Sequence, residues 1–319
     1  MTLGPGTRAV VTGGAGFIGS HLVDELLGLG CRVAVVDNFF LGRDDNLDHA
    51  RDDAGDCLTV YREDAGDLGA MTAVCEAEKP DVVFNLATKA LLYSFFNPAG
   101  AFRVNTDIAL ALGELLRLGA YGRLVHLSSS EVYGTAQKPV MDEDHPLLAE
   151  TTYAAGKAGA DLALAAYARM FDLDLVTLRP FNNYGPRQND GAFAAVIPLT
   201  IRRIEAGSPP VVEGDGLQTR DFIYVLDTVA AILQLAETEA ARHAVLNLGS
   251  GQETPILTVV QAVARAMGYQ GEIVHAPARV ADVRRHRADV AKAEELIGKV
   301  ARTDLDNGLR RTVDWYLSR

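Results

Sequence analysis

The amino-acid sequence predicts an α/β fold: a doubly wound parallel sheet with a smaller, interleaved α/β lobe. The first half of the chain alternates short apolar runs with longer segments of helical periodicity. Continuous apolar runs such as 31–37 are typical of parallel strands, which are buried on both faces. Strands that alternate with helices in this way favour a sheet covered by helices on both sides.

The predicted elements of the first half follow one another in regular order. Predicted strands span 9–12, 31–37, 58–61, 81–87, 123–128 and 174–178, and predicted helices span 17–26, 71–79, 99–118 and 151–171. Pro80 ends the second of these helices, because proline has no N–H to continue the hydrogen-bond ladder. The polar segment 39–55 is predicted to be a loop with a short helix.

Glycine and proline become more frequent beyond residue 179, and the predicted elements become shorter. We predict helices near 193–206, 227–237, 257–267, 289–297 and 305–317, and strands near 211, 222–225, 245–248 and 272–275. This change of texture predicts a first domain over 1–179, which also takes in about 222–247. A smaller lobe is predicted over 180–319.

Composition limits the classes of function. The 319-residue chain has a net charge of -12, which disfavours a broad nucleic-acid or membrane surface. No apolar run reaches the ~18 residues of a membrane span. Cys31, Cys57 and Cys75 show no metal or disulfide spacing, so we expect buried, reduced thiols and no metal site. The N-terminal sequence does not resemble a signal peptide. A cytoplasmic protein is therefore expected.

A glycine-dense turn, VVTGGAGFIG over 10–19, joins the first predicted strand to the first predicted helix. Gly14, Gly16 and Gly19 fit G-x-G-x-x-G, while Gly13, Gly16 and Gly19 fit the wider G-x-x-G-x-x-G. Such a turn places free backbone N–H groups and the positive end of a helix next to one another, where they bind phosphate. Strand, turn and helix in this order predict a dinucleotide site in a Rossmann-type sheet.

The acidic residue that ends the second strand supports this site. Asp37 lies 18 residues beyond Gly19. A carboxylate there accepts hydrogen bonds from both hydroxyls of the adenine ribose and repels a 2′-phosphate. The next residue, Asn38, is not an arginine, which favours NAD over NADP, although Arg43 lies only a few residues on.

Tyr153 and Lys157 form a second candidate site. Residues four apart share one face of a helix, so the phenol and the ammonium lie together. A nearby cation favours phenolate, and we therefore expect a lowered pKa for Tyr153 and a role as general base.

These features occur in one order: the glycine turn, Asp37, a Ser-Ser-Ser-Glu run over 128–131, Tyr153 with Lys157, and RPFNNYGP over 179–186. Together they resemble the extended short-chain dehydrogenase/reductase family, in its nucleotide-sugar epimerase and dehydratase branch. The resemblance extends through GDGLQTRDF over 214–222, NLGSG over 247–251 and the region of Arg279 and Asp282, and so covers nearly the whole chain.

The resemblance implies a tightly bound NAD that is regenerated in each cycle. The residues it places around this cofactor are Gly13, Gly16, Phe17, Ile18, Gly19, Asp37, Asn38, Asp64, Ala65, Leu86, Ala87, Lys89, Tyr153 and Lys157. Within this set, the glycine turn lines the pyrophosphate, Asp37 holds the adenosine ribose and Asp64 meets the adenine. Lys157 holds the nicotinamide ribose.

The same resemblance implies the catalytic and substrate-binding groups. Ser129, Tyr153 and Lys157 correspond to the catalytic triad. Asn182, Arg220 and Arg279 correspond to groups that contact the diphosphate of a nucleotide sugar, a task that suits the fork of a guanidinium. The helices 99–118 and 151–171 correspond to a four-helix interface between two subunits, which implies a homodimer.

The reaction that the resemblance implies begins with oxidation of the sugar at C4. Tyr153 takes the proton of the 4-hydroxyl, Ser129 shares that hydrogen bond, and NAD⁺ receives the hydride. A 4-keto group acidifies the proton at C5, which Glu131 could remove, and loss of the C6 hydroxyl would then complete a 4,6-dehydration.

The segment Ser129–Ser130–Glu131 decides among the possible reactions, and we include all three residues as catalytic candidates. Epimerases of the family usually carry small or hydroxyl residues at position 131, and thymidine-linked dehydratases carry Thr-Asp-Glu here. This chain has Ser130 in place of that Asp, a pattern closer to guanosine-linked mannose dehydratases and uridine-linked glucuronate decarboxylases.

We therefore predict an NDP-hexose 4,6-dehydratase, with an NDP-sugar 4-epimerase or an NDP-hexuronate decarboxylase as alternatives. The residue that would act as the acid at C6 is left unassigned. A remote alternative is a non-catalytic NAD(H)-sensing protein.

Overall fold

The computed structural model describes residues 1–278 and 283–319. The strands are β1 (Arg8–Thr12), β2 (Arg32–Val36), β3 (Leu58–Tyr61), β4 (Val82–Asn85), β5 (Arg123–Leu127), β6 (Leu175–Pro180), β7 (Asn182–Tyr184), β8 (Val211–Glu213), β9 (Thr219–Arg220), β10 (Phe222–Tyr224), β11 (Val245–Leu248), β12 (Thr254–Pro255) and β13 (Val274–Ala276).

The α-helices are α1 (Phe17–Gly28), α2 (Asp48–Ala54), α3 (Leu68–Glu78), α4 (Pro98–Arg117), α5 (Thr152–Phe171), α6 (Val196–Glu205), α7 (Val225–Glu237), α8 (Ile256–Ala266), α9 (Ala291–Ile297) and α10 (Leu305–Leu317). Short 3-10 turns add Asp44–Leu47, Gly55–Cys57, Leu91–Phe95, Ser130–Tyr133 and Glu239–Ala241.

Seven strands form one parallel sheet in the order β11-β6-β5-β4-β1-β2-β3. All six strand pairs run parallel. The order reverses direction at β1, whose neighbours are β2 on one side and β4 on the other. Ligands bind at such a switch point, beyond the carboxyl ends of the strands. The predicted doubly wound Rossmann-type sheet is confirmed.

Helices cover both faces of the sheet, because alternate strand side chains point to opposite sides. Val11 of β1 belongs to the core under α1 and α7, whereas its neighbour Val10 belongs to the core under α3, α4 and α5. The long helices α4 and α5 pack against each other on this second face.

A separate core lies in the C-terminal part of the chain. Its buried side chains come from β7, β10, α6, α8 and α10, with Tyr184, Ile201, Val263 and Leu309 among them. The strand β11 and the helix α7 lie instead with the seven-stranded sheet. Elements of the seven-stranded sheet and elements of the C-terminal core therefore alternate along the chain. The domain boundary at residue 179 stays a prediction.

Side-chain caps fix where several helices begin. Thr151 accepts a hydrogen bond from Ala154 N at the start of α5, and Asn97 accepts one from Gly100 N at the start of α4. Asp67 caps α3, which therefore begins three residues before the predicted start at residue 71. A capping residue and the first residues after it need not be apolar. A prediction from apolar spacing therefore starts such a helix too far along the chain.

Two smaller expectations are refined by the structure. Cys31 and Cys75 are buried as free thiols, but Cys57 is only half-buried. Within the described residues, no helix combines the length and the apolar character needed to cross a membrane.

Candidate active site

The glycine turn folds as a tight contact between β1, α1 and the end of β4. Gly13 has φ +69°, and a Cβ on it would lie 2.8 Å from the backbone N of Ala87. A Cβ on Gly19 would collide with the carbonyl oxygen of Gly13. Gly14 instead faces the side chain of Val35, outside the cavity. Gly13, Gly16 and Gly19, the wider of the two spacings, therefore form the cradle.

The first turn of α1 is open toward this cradle. Its N-cap residue, Gly16, has no side chain to cap the helix, and Gly16, Phe17 and Ile18 all line the adjoining cavity. Uncapped N–H groups and the positive end of the helix dipole favour an anion at this point. The turn therefore fits the pyrophosphate of a dinucleotide.

Asp37 lies at the carboxyl end of β2 with its carboxylate fixed by the backbone. Its two oxygens accept hydrogen bonds from Ala15 N at 3.0 Å and from Phe39 N at 2.8 Å. Burial raises the pKa of Asp37, although these hydrogen bonds oppose the shift. A carboxylate oxygen can accept more than one hydrogen bond, so both oxygens can also accept from ribose hydroxyls.

Other cofactor candidates meet at the mouth of the same cavity. Asn38 Nδ2 donates to Asp64 Oδ2 at 3.1 Å. The ammonium of Lys89 lies 3.1 Å from the centre of the Phe40 ring, a cation–π contact. Arg43, which could have indicated a 2′-phosphate, forms a two-pronged ion pair with Asp45. None of these contacts contradicts a preference for NAD.

All of the predicted cofactor residues line one cavity of about 310 Å³ at the switch point of the sheet. They are Gly13, Gly16, Phe17, Ile18, Gly19, Asp37, Asn38, Asp64, Ala65, Leu86, Ala87, Lys89, Tyr153 and Lys157. The sequence reasoning missed Asn46, Thr88 and Arg187, which also line it. Asn46 lies in the 3-10 turn Asp44–Leu47 and the other two lie in loops, and none of them belongs to a recognisable motif.

The cavity ends at the candidate catalytic groups. Tyr153 lies in the first turn of α5, where its hydroxyl is hydrogen-bonded with Ser129 and Thr88. Lys157 is buried one turn further along, and its Nζ donates to Leu127 O at 2.8 Å. Ser129 caps the turn that follows β5 and accepts a hydrogen bond from Glu131 N. The structure thus brings Ser129, Tyr153 and Lys157 together.

The expected lowering of the Tyr153 pKa does not occur. Desolvation raises the pKa of Tyr153 to about 12, against the hydrogen bond from Ser129. Desolvation also lowers the pKa of Lys157 to about 8, and the charge of Asp161 opposes this second shift. Helical spacing places the two groups on one face but carries no information on how deeply that face is buried, and here burial outweighs the cation.

A second cavity of about 460 Å³ opens on the other side of the catalytic groups. The two cavities share Ser129 and Tyr153. Glu131 lines the second cavity together with these two residues, whereas Ser130 is buried and lines neither cavity. A ligand in each cavity would therefore meet the other at Tyr153, with a carboxylate close by.

Two of the predicted substrate residues also line the second cavity. Asn182 has its side-chain oxygen buried, without a hydrogen-bond partner among the described residues. Arg220 is buried and donates to Val283 O and Thr219 O, which fixes its guanidinium at the wall. Arg279 lies outside the described residues, as does Asp282.

Aromatic side chains from three distant segments meet where the two cavities adjoin. Phe40 follows β2, Tyr93 lies in the turn Leu91–Phe95, and Phe193 precedes α6. The ring centres lie 5.3 Å apart for Phe40 and Tyr93 and 6.0 Å apart for Tyr93 and Phe193. This cluster joins the cofactor side of the site to the loop that borders the second cavity.

A buried row of polar side chains crosses the sheet beneath the site, and the sequence analysis missed it. Thr12 Oγ1 donates to Asn85 Oδ1 at 2.8 Å, and Asn85 Nδ2 lies 2.9 Å from His126 Nδ1. Beyond His126 lie Asp161 and Arg179, joined at 2.9 Å. Asp161 follows Lys157 by one helical turn, and that spacing was the available signal.

Comparisons with known proteins place the chain in a family. The model of the "NAD dependent epimerase/dehydratase family" matches residues 9–249. A UDP-glucose 4-epimerase of Mycolicibacterium smegmatis is 35% identical over 98% of this chain and 99% of its own length. UDP-glucuronic acid decarboxylase 1 of Xenopus tropicalis is 32% identical over 97% of this chain and 72% of its own.

A solved structure supports the same placement. The dTDP-glucose 4,6-dehydratase of Streptomyces venezuelae, determined with NAD bound, superposes with a TM-score of 0.90 at 29% identity and covers 98% of each chain. The cavity with the uncapped glycine turn and Asp37 fits this cofactor. The chain belongs to the NAD dependent epimerase/dehydratase family, and it is an enzyme that uses NAD.

Proposed function

We propose that the protein oxidises C4 of a nucleotide diphosphate sugar to a transient ketone, and that it is an NDP-hexose 4,6-dehydratase. The supporting observation is the position of Glu131, a carboxylate in the second cavity beside Ser129 and Tyr153. All three reactions named among the relatives and the solved structure act on nucleotide diphosphate sugars. Those relatives are enzymes, so they give no support to a non-catalytic sensor.

The chain's own residues supply the acid–base chemistry of this proposal. NAD, when bound, accepts the hydride from C4. Tyr153 receives the proton of the 4-hydroxyl, and Ser129 holds that hydrogen bond during the transfer. Lys157 lies one helical turn beyond Tyr153, where its ammonium would bind the nicotinamide ribose and stabilise negative charge on the phenol.

Glu131 then acts on the ketone. Its carboxylate takes the proton from C5, which the 4-keto group has acidified, and the C6 hydroxyl leaves as water. The resulting C5–C6 double bond takes up a proton at C5, and bound cofactor would return the hydride to C6, so that the whole reaction neither consumes nor produces a reductant. Asn182, Arg220 and Arg279 bind the diphosphate and keep the sugar at Tyr153.

A second candidate function is 4-epimerisation, favoured by the full-length match to a UDP-glucose 4-epimerase. In this reaction the 4-keto sugar rotates within the cavity, and bound cofactor would then return the hydride to the opposite face of C4. Glu131 takes no part. A decarboxylase would instead release CO₂ from a 4-keto uronic acid.

One experiment separates the three reactions. The purified enzyme is incubated with UDP-, dTDP-, GDP- and CDP-linked hexoses and hexuronates, and the products are weighed by mass spectrometry. Loss of water supports the dehydratase, loss of CO₂ the decarboxylase, and a changed stereocentre at unchanged mass the epimerase. Absence of any reaction across the panel would contradict the proposed substrate class.

The variant Glu131→Gln tests the role of this carboxylate. In a dehydratase we expect turnover to fall by about 10²–10⁴-fold, because the C5 proton loses its base. Glu150→Gln is the matched control, since Glu150 is exposed and bonds only Thr135 N among its described contacts. Full turnover by Glu131→Gln would assign the enzyme to the epimerases.

We further propose a homodimer that pairs α4 and α5 of two subunits. The outer faces of these helices carry exposed apolar side chains, with Leu162 at 61% and Met170 at 70% exposure. Such a continuous apolar surface is typical of an interface. The predicted division of the chain is retained: the first domain contributes the glycine turn, and the C-terminal lobe contributes Asn182 and Arg220.

A further inference from the structure

The candidate active site contains a buried carboxylate, that of Asp161, which takes part in no step of the proposed reaction. Asp161 lies on α5, four residues after Lys157, so the two side chains share one face of the helix. Their exposed fractions are 4% for Asp161 and 3% for Lys157. A charge removed from water in this way needs a partner, because desolvation otherwise favours the neutral form.

The oxygens of Asp161 are held from the sheet side. Arg179 Nε on β6 donates to Asp161 Oδ2 at 2.9 Å, and His126 Nε2 on β5 lies 3.6 Å from Asp161 Oδ1. Although burial raises it, these partners hold the pKa of Asp161 below its ordinary value. The carboxylate therefore stays ionised.

The tautomer of His126 follows from the row of polar groups that reaches it. Thr12 Oγ1 donates to Asn85 Oδ1, which leaves the NH₂ of Asn85 to face His126 Nδ1 at 2.9 Å. Nδ1 is thus an acceptor and the ring proton lies on Nε2, toward Asp161. Burial lowers the pKa of His126, so the ring is neutral and adds no positive charge beside Lys157.

The strand register makes this row rigid. Thr12, Asn85 and His126 are direct cross-strand partners on β1, β4 and β5. Thr12 is also the residue before the glycine turn. One line of buried hydrogen bonds therefore runs from the phosphate cradle to His126, whose Nε2 lies 3.6 Å from the Asp161 carboxylate.

We propose that Asp161 is a positioning residue of the active site: its carboxylate, one helical turn from Lys157 and fixed by Arg179, is the buried counterion that keeps Lys157 charged. The proposal rests on the proposed role of Lys157. Lys157 Nζ donates to Leu127 O, and the charge of Asp161 raises the pKa of Lys157 against the desolvation that lowers it.

The ionisable and charged groups around this pair come from four segments. They are Tyr153 and Lys157 on α5, His126 on β5, Arg179 on β6, and Tyr133 and Glu131 in the turn after β5. Arg179 also donates to Tyr133 Oη at 3.0 Å and to Glu143 O at 3.4 Å, so its guanidinium is shared among three acceptors. Asp161 provides the negative charge that raises the pKa of Lys157.

The test measures the ionisation of Lys157 directly, without substrate. The full-length protein is labelled with ¹³Cε-lysine and titrated by NMR between about pH 6 and pH 10, around the range expected for a buried lysine. Lys157→Arg assigns the resonance. In the wild-type protein we expect Lys157 to titrate with a pKa of about 8. A neutral Lys157 at pH 7 would overturn the proposal, and this measurement requires no variant at Asp161.

Two variants isolate the charge. Asp161→Asn should lower the titration midpoint of Lys157 by about one pH unit or more, because the opposite charge is lost. Asp161→Glu keeps the charge and should restore the wild-type midpoint. Asp174→Asn is the matched control, since Asp174 pairs with Arg123 at the other end of the sheet. It should leave Lys157 unchanged.

A purely structural role for Asp161 gives a different result. Asp161→Asn would then melt at a lower temperature but show an unshifted Lys157 midpoint, which would contradict the proposal. Because no sugar nucleotide is present, the outcome is independent of the substrate panel. If Asp161→Asn shifts the Lys157 midpoint but the wild-type enzyme converts no sugar nucleotide, the proposed function is contradicted and the role of Asp161 is not.

Discussion

At the scale of single residues, the site depends on burial more than on charge proximity. Tyr153 and Lys157 lie one turn apart, yet desolvation raises the pKa of the phenol to about 12 and lowers that of the ammonium to about 8. The protein groups alone therefore keep Tyr153 protonated at neutral pH. In the proposed reaction, Lys157 would stabilise the phenolate, and bound NAD⁺ would add positive charge to the site.

Removal of the Tyr153 hydroxyl tests its role as the proton acceptor. We expect Tyr153→Phe to lower kcat by about 10²–10⁴-fold, because the proton of the 4-hydroxyl loses its acceptor. The affinity for NADH should change far less than kcat, since Lys157 and the glycine turn are unchanged and Tyr153→Phe keeps the ring in the cavity wall. Turnover is followed by product mass and NADH binding by fluorescence.

A second tyrosine on α5 provides the control. Tyr167 lies four turns along the helix, where its hydroxyl bonds Glu114 at 3.4 Å, outside both cavities. Tyr167→Phe should retain wild-type turnover. Near-normal kcat in Tyr153→Phe would rule out the phenol as the proton acceptor.

At the scale of elements, the glycine turn both packs β1, α1 and the end of β4 together and forms the candidate phosphate-binding loop. Gly13 lies in the left-handed region and presses against the backbone of Leu86 and Ala87 beyond β4. The α1 helix begins directly after it and leaves its first N–H groups without side-chain caps. The same geometry that stacks the three elements thus creates the anion site.

Alanine at position 13 should disturb both properties. We expect Gly13→Ala to destabilise the fold by roughly 1–3 kcal/mol, because a side chain there has positive φ and no space. The Cβ would also move the turn, so NADH affinity should fall by about tenfold or more. Thermal melting and NADH titration measure the two effects.

Gly28 is the natural comparison within the same element. It is the last residue of α1, and a Cβ on it would meet nothing within 4 Å. Gly28→Ala should be neutral or stabilise the protein by about 0.4–1 kcal/mol, with NADH binding unchanged. Equal losses of NADH affinity in the two variants would contradict a specific role for Gly13.

At the scale of the whole molecule, the sheet supplies the cofactor cavity and the interleaved C-terminal elements supply the second cavity. The helices α4 and α5 lie on the outside of this arrangement with apolar side chains exposed. A proposed dimer would bury this surface, whereas Phe40 and Arg220, which line the two cavities, belong to other elements.

A charge on this outer face tests the dimer. We expect Leu162→Glu to shift the protein from dimer to monomer in sedimentation velocity, because an ionised side chain would be buried at the interface. Leu317→Glu, at the exposed end of α10, introduces the same charge elsewhere and should leave the dimer intact. A wild-type protein that sediments as a monomer would refute the proposed dimer.

The sequence by itself determined the fold class, the order of the elements and the cofactor side of the site. The cradle glycines, Asp37 and Asp64 lie at strand ends, in turns or in the first turn of α1, where local patterns and parallel-strand geometry place them at one edge of the sheet. The helix 305–317 and the strand 245–248 were predicted with their observed bounds.

Only the tertiary structure decided how the catalytic groups ionise and which side chains support them. His126, Asp161 and Arg179 come from three elements, and their contact depends on strand register and helix packing that no local pattern encodes. The depth of Tyr153 and Lys157 in turn depends on everything packed around them. Desolvation is a property of the whole fold, whereas spacing along a helix is a property of the sequence.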